Sequence, residues 1–230
     1  VLKITWLGHA AFELKFDSGE VLILDPWLEG NPAYPKGYEI QRADAIAVSH
    51  AHFDHFNDVV PLSKKFGAKV IAIFETASWL QGQGVSAEGM NKGGTADLGF
   101  VKLTMTHALH SNTIKAGDEV IYAGEAAGYV LTLKDGRTAY FAGDTALFGD
   151  MSLIGELYKP ELAFLPIGDF FTMGPLQASY AARLIKPKRV IPMHYGTFPA
   201  LSGKPEDVAQ ALKNDGIEVW VLKQGNTVEW

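Results

Sequence analysis

Cysteine is absent from all 230 residues. That excludes disulfide bonds and thiolate ligands, so any metal the chain binds is held through nitrogen and oxygen. Long apolar runs are missing too. None approaches the ~20 residues that a membrane-spanning helix needs, and no charged-then-apolar leader opens the chain. The expectation is a cytoplasmic protein with no membrane partner. Basic excess is also lacking: a formal net charge of −6 argues against a nucleic-acid partner, whose phosphates require clustered lysine and arginine. The densest basic group, Lys186, Lys188 and Arg189, reads as a solvated connection between a helix and a strand. No stretch has linker composition, so residues 1–230 are expected to form one domain, long enough to bury a substantial core.

What the chain does have is concentrated histidine. His50, His52, Asp54 and His55 fall within six consecutive positions of Val48-Ser49-His50-Ala51-His52-Phe53-Asp54-His55. The preceding run Asp44-Ala45-Ile46-Ala47-Val48 reads as a buried strand, so the cluster begins where a strand gives way to a loop. Neutral imidazole beside carboxylate suits zinc and other borderline divalent ions. A solvated histidine loop or a tag remnant accounts poorly for an interior cluster flanked by apolar runs.

Period-two patterning predicts strands over 2–6, 12–16 and 21–24, with a hairpin turn at 17–20. His9 falls between the first two strands, and Asp25 of Asp25-Pro26 ends the third, where it serves equally well as a turn opener. Residues 29–41 read as a loop overhanging the site. Next come a helix over 56–66 closed by Gly67, a strand over 69–74, a helix over 75–80, an irregular stretch over 81–94, and a strand over 100–105. The second half predicts strands 129–133 and 138–142 around an Asp135-Gly136 turn, a helix over 146–158 and a strand over 161–165. A helix over 175–185 opening on Pro175, a strand over 189–193, a helix from Pro205 to before Gly216, and a strand over 217–221 complete it. Two similar sheet-plus-helix halves make an α+β fold and are what a four-layer αββα sandwich, two sheets face to face with helices outside, requires.

On this map His110, Asp144 and His194 each lie just beyond the carboxyl end of a strand, as His50 does. Loops leaving one edge of two packed sheets can meet in a single cleft. Taken singly, His110 and His194 also read as hydrogen-bonded core histidines, and Asp144 as a helix cap.

The spacing His50-x-His52-x-Asp54-His55 resembles the signature loop of the metallo-β-lactamase superfamily. The nearest likeness is to its stand-alone metal-dependent hydrolases related to ascorbate-6-phosphate lactonase. It is carried by Trp6-Leu7-Gly8-His9-Ala10, Leu24-Asp25-Pro26-Trp27, Ala108-Leu109-His110-Ser111, Gly143-Asp144-Thr145, Phe171-Thr172-Met173-Gly174-Pro175 and His194-Tyr195-Gly196-Thr197, and so extends along nearly the whole chain. The missing cysteine separates the chain from the β-lactamases that place one at the second metal.

The resemblance implies two divalent ions, with zinc first and manganese, iron or nickel also accepted by such a donor set. His50, His52 and His110 would hold one ion, Asp54, His55 and His194 the other, and Asp144 would bridge them. Asp169 and Thr172 would line the site, with Tyr195 beside it. His9, Asp25 and His107 would support the ligands or serve structure alone. The implied activity is that of a metal-dependent hydrolase, in which a hydroxide held by the metals attacks a small anionic ester, lactone or phosphodiester. Asp54 would be the catalytic residue that orients the nucleophile or takes its proton. The partner is then a small-molecule substrate, and the oligomeric state of the related lactonases adds a homo-oligomer to the expectations. The alternative is a non-catalytic metal-binding or sensing module on the same fold.

Overall fold

A computed structural model describes residues 1–230. The first half contains β1 (Leu2–Trp6), β2 (Phe12–Phe16), β3 (Val21–Leu24), β4 (Ala45–Ala47), α1 (Phe53–Phe56), α2 (Val59–Phe66), β5 (Lys69–Ile73), α3 (Phe74–Gly82) and β6 (Ala87–Met90). The second contains β7 (Thr95–Asp97), β8 (Val101–His107), β9 (Thr113–Ala116), β10 (Glu119–Tyr122), β11 (Ala127–Leu133), β12 (Thr138–Phe141), α4 (Met151–Tyr158) and β13 (Leu162–Pro166). It ends with α5 (Pro175–Ile185), β14 (Arg189–Met193), α6 (Pro205–Leu212), β15 (Glu218–Val219) and β16 (Thr227–Glu229).

Two seven-stranded sheets result, ordered β16-β1-β2-β3-β4-β5-β6 and β15-β14-β13-β12-β11-β8-β7. Each is antiparallel at one side and parallel at the other. β1, β2 and β3 form a meander, after which β3 through β6 run parallel. Likewise β7, β8, β11 and β12 are antiparallel, and β12 through β15 parallel. Parallel strands need crossovers, and the crossovers put helices on the outer faces.

Side-chain alternation sorts the residues into layers. Leu22 and Leu24 of β3 point between the sheets, where they join Trp6, Phe12, Tyr129, Phe141 and Phe164 in the central core. Ile23 points outward and packs with Ile46 and Val70 against Val59, Leu62 and Leu80. In the other sheet Tyr140, Ala163 and Val190 face Ile154, Ala178, Ala182 and Val208. The expected αββα sandwich is therefore present. No helix is long and apolar enough to cross a membrane.

The structure corrects the sequence reading at several elements. The stretch 81–94 is not irregular throughout: β6 lies in it and pairs in parallel with β5. Gly89 blurs its pattern, and a side chain there would meet Phe74 at 3.1 Å. The helix expected over 146–158 starts only at Met151, because Ala146 donates its backbone N–H to Leu109 and so belongs to the loop that carries His110. Asp54 and His55 lie on the single turn α1 rather than in a loop. Residues 29–41 do not overhang the site; Tyr34 and Tyr38 pack them onto the first sheet's outer face. What overhangs instead is the β9–β10 hairpin, a separate two-stranded sheet.

Candidate metal centre

The carboxyl ends of β3, β4, β12 and β14 share one edge of the sandwich. The segments leaving them bring Asp25, His50, Asp144 and His194 together, and β8 leads to His110. Three connections at this edge stitch the two sheets. Tyr129 Oη donates to the Val48 carbonyl at 2.8 Å, Ala127 N–H to the Ser49 carbonyl at 2.9 Å, and His194 N–H to the His9 carbonyl at 3.0 Å. Gly143 makes the approach of Asp144 feasible. It has φ +61°, and a Cβ there would lie 2.6 Å from the Ser49 side chain. Other site residues accept the left-handed region without being glycine: His9 at φ 57°, Asp25 at 41° and His194 at 57°. Such strain, on the order of 1–2 kcal/mol per residue, accumulates where the surroundings dictate a side-chain direction.

Two sets of donor atoms converge, each within 4.8 Å of one another: His50, His52 and His110, and His9, Asp54, His55 and His194. Asp144 lies between the sets. Its Oδ2 is 3.8 Å from His50 Nε2 and 3.7 Å from His110 Nε2, and 3.2 Å from His55 Nε2 and 3.0 Å from His194 Nε2. Despite this closeness, Asp144 Oδ1, His55 Nε2 and both ring nitrogens of His194 are buried with no hydrogen-bond partner. Buried polar atoms that crowd together without hydrogen-bond alignment carry an uncompensated desolvation penalty. Nitrogen and oxygen atoms arranged in this way fit a divalent cation as their shared partner.

The neighbouring residues fix these rings. Asp25, fully buried, accepts from His55 Nδ1 at 2.7 Å and from Ser49 N–H at 2.7 Å, while Ser49 Oγ is 3.0 Å from His50 Nδ1. His9 spends both nitrogens on oxygen partners, Asp54 Oδ2 at 2.9 Å and Thr197 Oγ1 at 2.9 Å. It therefore orients Asp54, whereas His55 and His194 keep Nε2 free. Asn112 Oδ1 accepts from Ala51 N–H at 2.7 Å, and its amide donates to the Ala123 carbonyl. That ties the histidine loop to the base of the β9–β10 hairpin.

Burial opposes every charge in the cluster, and the neighbours decide the outcome. His50 stays well below the ordinary histidine value through burial and the nearby His55. His9 is lowered to about 4 by burial and by His194. His194 is raised to about 9, because Asp144 and Asp54 outweigh its burial, and the same carboxylates hold His55 well above its usual value. Asp144 is held well below the carboxylate range, since His194 and His55 outweigh desolvation.

Not every candidate reaches the cluster. His107 stands at the surface end of β8, 3.1 Å from Lys92 Nζ and edge-on to Phe148. Asp169 is exposed, and its carboxylate accepts the Phe170 N–H at 2.8 Å, which shapes the loop without touching the site. Thr172 bonds only the neighbouring Met173 carbonyl. Tyr195 points the opposite way from His194 and packs on Trp6, 5.4 Å between centroids. From this loop it is Phe171 that reaches the cavity over the cluster. Ser49, Asn112 and Thr197 were missed as site residues, for small polar residues in loops carry no periodic signal.

Comparison with known proteins accords with this geometry. The family model of the beta-lactamase superfamily domain matches residues 20–195. The chain is 55% identical over 230 residues to the UPF0173 metal-dependent hydrolase of Solibacter usitatus, with all of both chains covered. It is 48% identical to that of Koribacter versatilis, covering 98% of this chain and 97% of the other. The solved structure of Igni18, a metallo hydrolase from Ignicoccus hospitalis, superimposes with a TM-score of 0.88 at 36% identity, covering 99% of this chain and 97% of that one.

Proposed function

Because this chain belongs to the UPF0173 metal-dependent hydrolases of the metallo-β-lactamase superfamily, we propose that it hydrolyses a small anionic ester, lactone or phosphodiester at a two-cation centre. His50, His52 and His110 would hold one cation, and Asp54, His55 and His194 the second. Asp144 would serve both. The observation that carries this reading is the position of Asp144 Oδ2, 3.0 to 3.8 Å from a nitrogen of His50, His55, His110 and His194. Nitrogen and oxygen donors without sulfur suit zinc, manganese, iron or nickel, and metal availability decides among them.

Bound divalent cations supply Lewis acidity, which brings the pKa of water to about 7 and polarises a carbonyl or phosphoryl oxygen. The chain's own residues do the rest. Asp54, steadied by His9, lines the cavity, where it would orient the attacking water or take its proton. Asp25 and Ser49 hold the imidazoles of His55 and His50 in one orientation and tautomer. Phe53, Phe171 and Phe198 line the cavity and displace water from around the reacting atoms, which strengthens each electrostatic contact.

Elemental analysis of protein purified without added metal, followed by assays of the metal-loaded protein on esters, lactones and phosphodiesters, tests this reading. Turnover should fall at least ~100-fold in Asp54→Asn and His110→Ala. Unchanged activity in both variants defeats the assignment, and tight metal binding without turnover on any substrate favours a sensing role.

A further inference from the structure

The cavity above the cluster encloses about 600 Å³. Beside His52, Asp54, His110 and Asp144, its walls are Phe53, Phe171, Phe198 and Val120, with Ser111 and Thr113 at the lip and Lys115 as the one cation. A second recess of about 170 Å³ adjoins it and shares Phe53 and Lys115 with it. That recess is lined by Ala51, Phe56, Val60, Trp79 and Ile114, apolar residues apart from Asn57 and the lysine. Every other lysine or arginine is missing from both spaces. Lys115 sits on β9 opposite Val120, exposed, and its ammonium makes neither an ion pair nor a hydrogen bond with the rest of the chain. Val120 of β10 is 70% exposed and Phe171 54%, large apolar side chains turned to the cavity rather than to the core.

A polyhydroxylated sugar fits these walls badly. Its C–H faces could pack on the aromatic rings, but away from the metal donors only Ser111, Thr113 and Lys115 are there to answer its many hydroxyls, and the rest would lose hydrogen bonds to water without replacement. A dianionic phosphate would meet one lysine where such groups ordinarily gather several donors. An aryl or alkyl group suits the recess, and a single carboxylate suits Lys115. Building on the hydrolytic reading above, we infer that the substrate is an amphiphilic carboxylic ester or lactone, its apolar group in the Phe53–Trp79 recess and one anionic substituent paired with Lys115. Lys115 is then the specificity-determining residue, and the β9–β10 hairpin is the element that presents it.

The test reads binding as well as turnover, on the full metal-loaded protein. By calorimetry, 3-phenylglutarate should bind roughly two- to fivefold more tightly than its mono-amide, the span of an exposed charge pair. Lys115→Ala should bring that ratio to about one, and Lys115→Glu should invert it. 3-Methylglutarate should bind at least ~10-fold more weakly than 3-phenylglutarate, because the ring's burial is lost. In kinetics, the kcat/KM ratio of monophenyl glutarate to phenyl pentanoate should follow the same dependence on residue 115. Ratios equal in wild type and Lys115→Ala overturn the role of the lysine. Equal affinity for the phenyl and methyl acids overturns the apolar recess. Lys115-dependent binding with no ester turned over supports the ligand class and defeats the hydrolytic reading alone, so the two failures are distinguishable.

Discussion

A cation entering this cluster must displace protons. An imidazole nitrogen binds metal only when it is neutral at that atom. His194, raised to about 9, and His55, raised well above its usual value, both hold protons at pH 7 in the metal-free protein. His50, His52 and His110 are all lowered, by burial first, and stand deprotonated there. The sign follows: below about pH 9 a proton on His194 competes with metal, and raising the pH removes the competitor. The group of His50, His52 and His110 should therefore fill at lower pH than the group of Asp54, His55 and His194. Calorimetric zinc titrations at two pH values, one mildly acidic and one mildly alkaline, should give a lower stoichiometry at the acidic one. At neutral pH the second equivalent should release protons, seen as a heat that depends on the buffer's ionisation enthalpy. Equal filling at both pH values would rule out this order. The histidine motif itself was legible because its spacing is dense. His9 and Asp25 were ambiguous, since a turn residue and a residue that orients a ligand look alike in one dimension. Asp169, Thr172 and Tyr195 entered through resemblance alone, and left-handed backbone at Asp169 and Phe170 turns that loop so that a different residue faces the cavity.

Among the elements, the helix ends are informative. α2 ends on Gly67 at φ 67°, whereas α4 and α5 end on Lys159 at 47° and Lys186 at 58°. A side chain in the left-handed region costs about 1 kcal/mol that glycine avoids. Both lysines are exposed, so Lys159→Gly and Lys186→Gly should each stabilise the protein by about 0.5–1 kcal/mol. Urea unfolding checks this through a raised midpoint at unchanged slope; a lowered midpoint at both positions contradicts it. Most strands and helices could be read from alternation and from Pro and Gly punctuation. β6 could not, because its glycine removes one phase of the pattern. Nor could the β9–β10 hairpin: Ile114 and Ile121 alone pack on the core, one residue per strand, while Val120 and Tyr122 are both 70% exposed, so apolar residues fall on both faces and the alternation is lost.

At the scale of the molecule, the donors come from both halves. His50, His52, Asp54 and His55 belong to the first sheet's loops, and His110, Asp144 and His194 to the second's. A bound cation thus links the two sheets at one edge, while the central core of 30 residues holds them elsewhere. Chelation should lower the thermal midpoint and leave the chain folded, and restored zinc should reverse the loss. When free metal exceeds its dissociation constant 1,000-fold, the expected stabilisation is about 4 kcal/mol. Identical melting curves with and without chelator would mean that the cation does not bridge the halves. The layer order was legible because both sheets alternate clearly. Strand register and the edge pairing of β16 with β1 were not, since partners 222 residues apart, such as Thr5 and Thr227, leave no local trace.

β9 and β10 pair with each other and with neither large sheet, and Asn112 fastens their base to the backbone beside the histidines. Charge selection at Lys115, as proposed above, is thereby housed in a piece of chain apart from the histidine cluster. A ribbon of different length or charge, grafted at the same foot, would retune which molecules are admitted while the reactive apparatus beneath kept its shape.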